Sequence, residues 1–375
     1  MSTPRTEGRG PALEEALKAY FWQAGYFVVR GVPYRIDDDD VTDIDLWLYE
    51  RPAALTRRRL IVDAKNKQRP KASERIVWSK GLQNALGVDG AIVATTDQRA
   101  SARQLAKKIG ITLLDGSAVS KLMQSERLQQ PTQIFSSDLD AQIKKIDENR
   151  RSSEWRQSLN DARASLLTGF GTQSANQNLR AAGFFAEQSV LAQPRSDQAA
   201  AALRLFFLTS ALAAVSLDFS LSSHLFQSQD DRRRLLVHGI RFGDSDAHQA
   251  FSTVRAAIGL VRQYADNGNA IATQIERGFD ADAHRIPAEI IADHVAKISG
   301  TDALFNIARE CERAAFEIKL PSFDQMTIEA KSLLGVFLDF SGIAREKVAS
   351  AYPSDSVPRS TPSASEPGPL FQEKR

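Results

Sequence analysis

Three short apolar runs, residues 44–49, residues 60–64 and Gly90–Thr95, constrain this chain more than any other feature. Each is too short for a stable helix and the right length for a strand. Helical patterns surround them. Leu13, Leu17, Phe21 and Ala24 share one face of a helix over residues 11–24, with Pro11 suited to its start and Gly25 to its end. Residues 26–29 form a further short strand, residues 37–40 an acidic turn, and Arg51-Pro52 a second turn. Residues 79–86 and 101–109 read as helices, and residues 111–114 as a last strand closed by Asp115-Gly116. The resulting order, α-β-β-β-α-β-α-β, predicts a mixed sheet with helices on both faces.

Beyond this the texture changes. Helical candidates cover residues 138–164, 189–217, 247–264, 287–298, 303–318 and 325–349, without period-2 strands. From residue 351 the chain is rich in Ser and Pro, which predicts a flexible tail. The expected organisation is an α/β domain over 1–125, a helical linker over 126–160, an all-helical domain over 161–350 and the tail over 351–375. The longest apolar stretch, residues 205–217, is short of the ~20 residues needed to cross a bilayer and reads as a core helix. A polar N-terminus without an apolar h-region and a single cysteine, Cys311, predict a cytoplasmic protein without disulfides and without a membrane partner.

Chemistry concentrates in two of the strands. In Thr42-Asp43-Ile44-Asp45-Leu46, alternation puts Asp43 and Asp45 on one face, with Ile44, Leu46 and Leu48 on the other. In Leu60-Ile61-Val62-Asp63-Ala64-Lys65, Asp63 and Lys65 share a face. If the strands are antiparallel neighbours, carboxylates from both and one ammonium meet at one spot. Such a spot suits phosphodiester hydrolysis: oxygen ligands hold Mg2+ or Mn2+, the metal lowers the pKa of a bound water, and the lysine orients the attack and stabilises transition-state charge. Spacing alone leaves Asp43 and Asp45 as alternative ligands.

The pattern resembles the PD-(D/E)xK nuclease superfamily, and within it the Mrr-like restriction endonucleases, over residues 13–122. The core motif stands here as Asp45 followed by Asp63-Ala64-Lys65. Glu14, with Glu15 in reserve, matches the glutamate of the first helix before Gly25-Tyr26. Trp78-Ser79-Lys80-Gly81-Leu82-Gln83, Ala94-Thr95-Thr96 and Leu113-Leu114-Asp115-Gly116 match later segments. The chain departs from the pattern in lacking the motif proline, in using Asp63 where Glu is usual, and in carrying Asp37 to Asp40 where glycines are usual. The resemblance implies a restriction-endonuclease-like fold and a Mg2+-dependent DNA endonuclease of restriction or genome defence. It also implies Asp45, Asp63 and Glu14 at the metal, Lys65 beside them and Gln83 as an auxiliary residue. A DNA-holding protein that does not cut is the alternative.

Charge fits a polyanion. Residues 1–125 hold 20 Lys+Arg against 15 Asp+Glu, while the whole chain is only +2. Arg57, Arg58, Arg59, Lys67, Arg69, Lys71, Arg75 and Lys80 are the expected phosphate contacts. Cutting both strands implies two sites and hence a homodimer. Two weaker signals remain. Arg233 and His238 resemble the Arg-x4-6-His signature of HEPN ribonucleases, a second alternative. Leu370-Phe371 resembles the peptides that dock on sliding clamps. The aromatic residues Phe206, Phe207, Phe219, Phe226, Phe305, Phe316, Phe337 and Phe340 read as bundle core.

Overall fold

The computed structural model describes residues 9–36, 39–65, 71–124, 133–243 and 247–353. Lys67, Arg69 and the Leu370-Phe371 peptide lie outside the described residues.

The β-rich runs grow into β1 (Phe27–Ile36), β2 (Asp39–Ala53) and β3 (Thr56–Lys65), an antiparallel meander. Parallel strands β4 (Gly90–Thr95) and β5 (Thr112–Leu114) follow, giving a five-stranded sheet in the order β1-β2-β3-β4-β5. Helices α1 (Arg9–Gln23), α2 (Ala72–Leu86), α3 (Ala100–Ile109) and α4 (Gly116–Met123) surround it. The predicted order of elements is the observed one. The β2–β3 turn falls at Ala54-Leu55 rather than at Arg51-Pro52. Pro52 lies where the ladder is irregular, between Glu50 and Ala53, so its missing N–H breaks no regular pairing.

Both faces of the sheet are buried. Val28, Leu46, Leu48, Leu60, Val62, Ala64, Ile92 and Ala94 pack with Leu13, Leu17 and Phe21 of α1 and Val119 of α4. Phe27, Val29, Trp47, Tyr49, Ile61 and Val93 belong to the second core, which contains α2, α3 and much of the helical region.

That region comprises α5 (Ser136–Arg150), α6 (Glu154–Thr168), α7 (Thr172–Leu191), α8 (Asp197–Ser220), α9 (Gln229–Phe242), α10 (Ala247–Tyr264), α11 (Gly268–Arg285), α12 (Ala288–Ile298), α13 (Ala303–Phe316), α14 (Ile328–Phe340) and α15 (Arg345–Ser350). The helix expected over 138–164 is two. The buried Asp147 carboxylate accepts from Trp155 N (3.2 Å) and Arg156 N (3.1 Å), capping α6, and Arg151 takes φ 51° at the corner. Within α8 the most apolar window is 94% buried, as a core helix requires. Phe226 departs from its expected core role, being 87% exposed, whereas Phe206, Phe207, Phe305, Phe316 and Phe337 are buried.

Sheet and helices share one interior. Trp47 and Tyr49 stack on each other and meet Phe170 edge-on, and Tyr49 also meets Phe305. At the rim of this contact Asp218 of α8 accepts from Tyr49 Oη (2.6 Å), Arg51 Nη1 (3.0 Å) and Arg57 Nη2 (3.1 Å). From α1, Lys18 donates to Ser136 Oγ (2.9 Å) of α5.

Candidate active site

Ladder pairing between β2 and β3 is regular as far as Leu46 opposite Val62, and the next residues in register are Asp45 and Asp63. There the strands part. Ala64 N donates to the Asp45 Oδ2 carboxylate oxygen at 2.7 Å instead of to a backbone carbonyl. The side chain of Asp45 thereby fills the gap at the mouth of the sheet. Lys65 Nζ stands 3.2 Å from Asp45 Oδ2 and 3.9 Å from Asp63 Oδ1. The two carboxylates and the ammonium foreseen from strand alternation are together. Gly31 is next to this point on β1, between the partners of Leu46 and Ile44, with φ +63°, a conformation glycine adopts without strain.

Asp45 rather than Asp43 is the residue in the cluster. Asp43 is exposed and pairs in register with Pro33 of β1. Burial raises the Asp45 carboxyl above its ordinary value, partly offset by the Ala64 N–H and Lys65. Glu14 sits close enough to Asp45 and Lys65 to feel both charges, and burial raises its carboxyl as well. Its oxygen is engaged by Arg30 Nε at 2.9 Å. Arg30 Nη1 also reaches Glu15 Oε1 (3.1 Å), whose same oxygen accepts from Ser136 N (2.9 Å). Glu15 therefore ties α1 to the helical region, and Glu14 is the nearer of the two to the cluster.

A residue counted in the sequence only as one positive charge among many proves central. Arg75, in the opening turns of α2, holds Asp63 with both ends of its fork: Nε to Oδ2 at 2.7 Å and Nη2 to Oδ1. Its placement follows from the fold. In a parallel β3-α2-β4 crossover the chain leaves the carboxyl end of β3 and α2 runs back toward the start of β4, so the first residues of α2 lie at the end of β3 that carries Asp63. No sequence motif marks this pairing.

Other expected contacts lie elsewhere. Gln83 is near the far end of α2, where its Nε2 donates to Asp89 O (3.4 Å) and its Oε1 accepts from Lys80 Nζ (3.1 Å). Asp89 is level with Arg59, at the opposite end of β3 from Asp63. Helix length separates Gln83 and Lys80 from the carboxylates. Arg57 and Arg58 do not crowd the site either. Arg58 and Asp63 are separated by roughly 17 Å of extended strand. Arg57 is buried against Asp218, and Arg58 pairs with Glu50 (2.9 Å). Arg59 lies over the Phe219 ring at 4.9 Å. Lys71 is exposed just before α2 and pairs with Glu74 (3.0 Å). In α9, Arg233 pairs with Asp293, and His238 packs on Phe242 (5.1 Å between ring centres).

Among the described residues no group of three or more His, Cys, Asp or Glu side chains converges as a metal cage. Asp45 and Asp63 nevertheless offer hard oxygen donors, both near Lys65 Nζ. Mg2+ commonly takes one or two carboxylates and keeps its waters, so this donor set fits a magnesium-like ion. Residues 7–123 match a family model described as a restriction endonuclease, Mrr_cat. The match covers the sheet with α1 to α4 and stops before the helical region. Comparison with curated proteins and with solved structures found no match.

Proposed function

We propose that the chain is a divalent-metal-dependent DNA endonuclease acting in restriction or defence against foreign DNA, with its chemistry at Asp45, Asp63 and Lys65. The observation that carries this reading is the meeting of two carboxylates and one ammonium where β2 and β3 part, inside a segment that matches a restriction-endonuclease family.

Asp45 and Asp63 would hold the ion, with Glu14 beside them. A bound Mg2+ or Mn2+ supplies Lewis-acid polarisation of the phosphoryl oxygen and a water of lowered pKa. The chain supplies the rest. Lys65 Nζ, on the carboxylate face, positions the attacking water and balances the negative charge that builds on the phosphorane-like transition state. The Ala64 N–H and the wedged position of Asp45 hold that carboxylate still, which limits reorganisation during the reaction. Arg75, at the start of α2 beside Asp63, suits phosphate contact without base reading.

Purified protein should nick or linearise plasmid DNA with Mg2+ or Mn2+ and lose this activity with EDTA. DNA binding without cleavage under either metal would instead favour the alternative, a holding module on a nuclease fold.

A further inference from the structure

We infer that Arg75 is an internal gate on the metal site: it occupies Asp63 in the free protein and passes to a DNA phosphate when the ion binds. This rests on the nuclease reading and deepens it, by assigning a positioning role to a residue the family pattern does not name.

The geometry is specific. Asp63 is a largely buried carboxylate, 8% exposed, and both of its oxygens are taken by one guanidinium. Lys65 is farther from it, at 3.9 Å, and stands nearer to Asp45, at 3.2 Å. The pairing is therefore uneven: Asp45 is held by a backbone N–H and the lysine, Asp63 by Arg75. An ion that takes an oxygen of Asp63 must compete with the fork for that oxygen and also endures repulsion from its charge. Binding thus has to break a bidentate, charge-assisted pair, the stronger class of hydrogen bond. Arg75 is not locked in place. Its side chain is one-third exposed, and it springs from the first turns of a helix that borders solvent on that side. Once released, a planar guanidinium beside two carboxylates and an ion is positioned for a phosphate oxygen, which it matches as well as it matches a carboxylate. Metal and DNA would then assist one another. DNA gives Arg75 a second partner and frees Asp63 for the ion, while the ion frees Arg75 for DNA. Linkage requires both effects to be of equal size.

The test uses the full chain as wild type, Arg75→Gln and Arg75→Lys, with folding checked by thermal melting. Mn2+ affinity without DNA is read by calorimetry, and affinity for a 20-base-pair duplex by fluorescence anisotropy with and without Ca2+ over a range of salt. For Arg75→Gln the expected result is Mn2+ binding about tenfold tighter than wild type, together with loss of the Ca2+ enhancement of DNA binding. The salt dependence of the Ca2+-loaded DNA complex should drop by about one phosphate contact. Arg75→Lys, which keeps the charge and loses the fork, should fall between the two in Mn2+ affinity. Unchanged or weaker Mn2+ binding by a folded Arg75→Gln protein overturns the gate. If wild type itself binds Mn2+ and cuts DNA, that outcome leaves the nuclease reading standing. Wild type that neither binds Mn2+ nor cuts DNA overturns both.

Discussion

At the scale of single residues, the site depends on charges that would be unfavourable alone and are tolerable together. Asp45, Asp63 and Lys65 stand where the β2–β3 ladder ends while the flanking ladders continue, so the Asp45 side chain accepts the Ala64 N–H that β2 backbone would otherwise take. Lys65→Ala and Asp63→Ala should each lower the cleavage rate at least a hundredfold while the thermal melting point stays within a few degrees of wild type; plasmid assays and melting curves give both numbers. Wild-type cleavage by Asp63→Ala would remove this residue from the mechanism. Glu312 of α13 poses a different residue-scale problem. It is fully buried, its Oε2 accepts only a long bond from Val28 N (3.4 Å), and burial raises its carboxyl from 4.5 to about 8. Between those two values the folded chain keeps a proton that the unfolded chain has released. Stability therefore falls as pH rises across that window, by at most about 1.4 kcal/mol per pH unit. Lys18, lowered to about 8, acts in the opposite direction only above that pH. Urea unfolding at pH 5.5 and 7.5 should show wild type weakening by about 2 kcal/mol at the higher pH, and Glu312→Gln should flatten that slope.

Elements show which signals travel well from sequence to fold. Gly90–Thr95 was legible to the residue, because a short apolar run between turn signals has few other uses. Helix α10 was equally legible over Ala247–Tyr264. Helix α4, unannounced by the pattern, owes its start to Asp115, whose carboxylate accepts from Ser117 N and Ala118 N, both at 3.1 Å. Gly116 follows because an added Cβ there would overlap the Thr96 carbonyl oxygen. Asp115→Ala should cost about 1 kcal/mol through the lost cap. Gly116→Val should cost more, through collision with backbone that has no room to yield. Chemical denaturation orders the two variants, and the reverse order would show that capping outweighs packing at this turn. The placement of Arg75 and the misplacement of Gln83 are lessons at the same scale. Both lie on α2, but about 12 Å of helix axis separates them, so only one can reach Asp63.

For the whole molecule, the core shared by sheet and helices predicts that the two unfold together. Trp47 and Tyr49 carry the face of β2 that bears Asp45 on into an interior built jointly with Phe170 and Phe305. Asp218 balances Arg51 and Arg57 at its edge. Asp218→Ala would leave two buried guanidinium groups without their carboxylate, and the expected loss is about 3–5 kcal/mol. Calorimetry should show a single transition in wild type, shifted to lower temperature in the variant; separate transitions for the two halves would contradict the shared core. Sequence alone determined the order of elements, the mixed sheet with helices on both faces, and the meeting of an aspartate of β2 with Asp63 and Lys65, because period-2 alternation and neighbouring strands leave little freedom over short distances. Tertiary structure decided that Asp45 rather than Asp43 joins the cluster, that Arg57 turns inward to Asp218, that Arg75 rather than Gln83 meets Asp63, and that the helical region after residue 136 shares the core on one face of the sheet. Those outcomes depend on contacts between segments far apart in the chain, and local periodicity carries no record of which distant surfaces will meet.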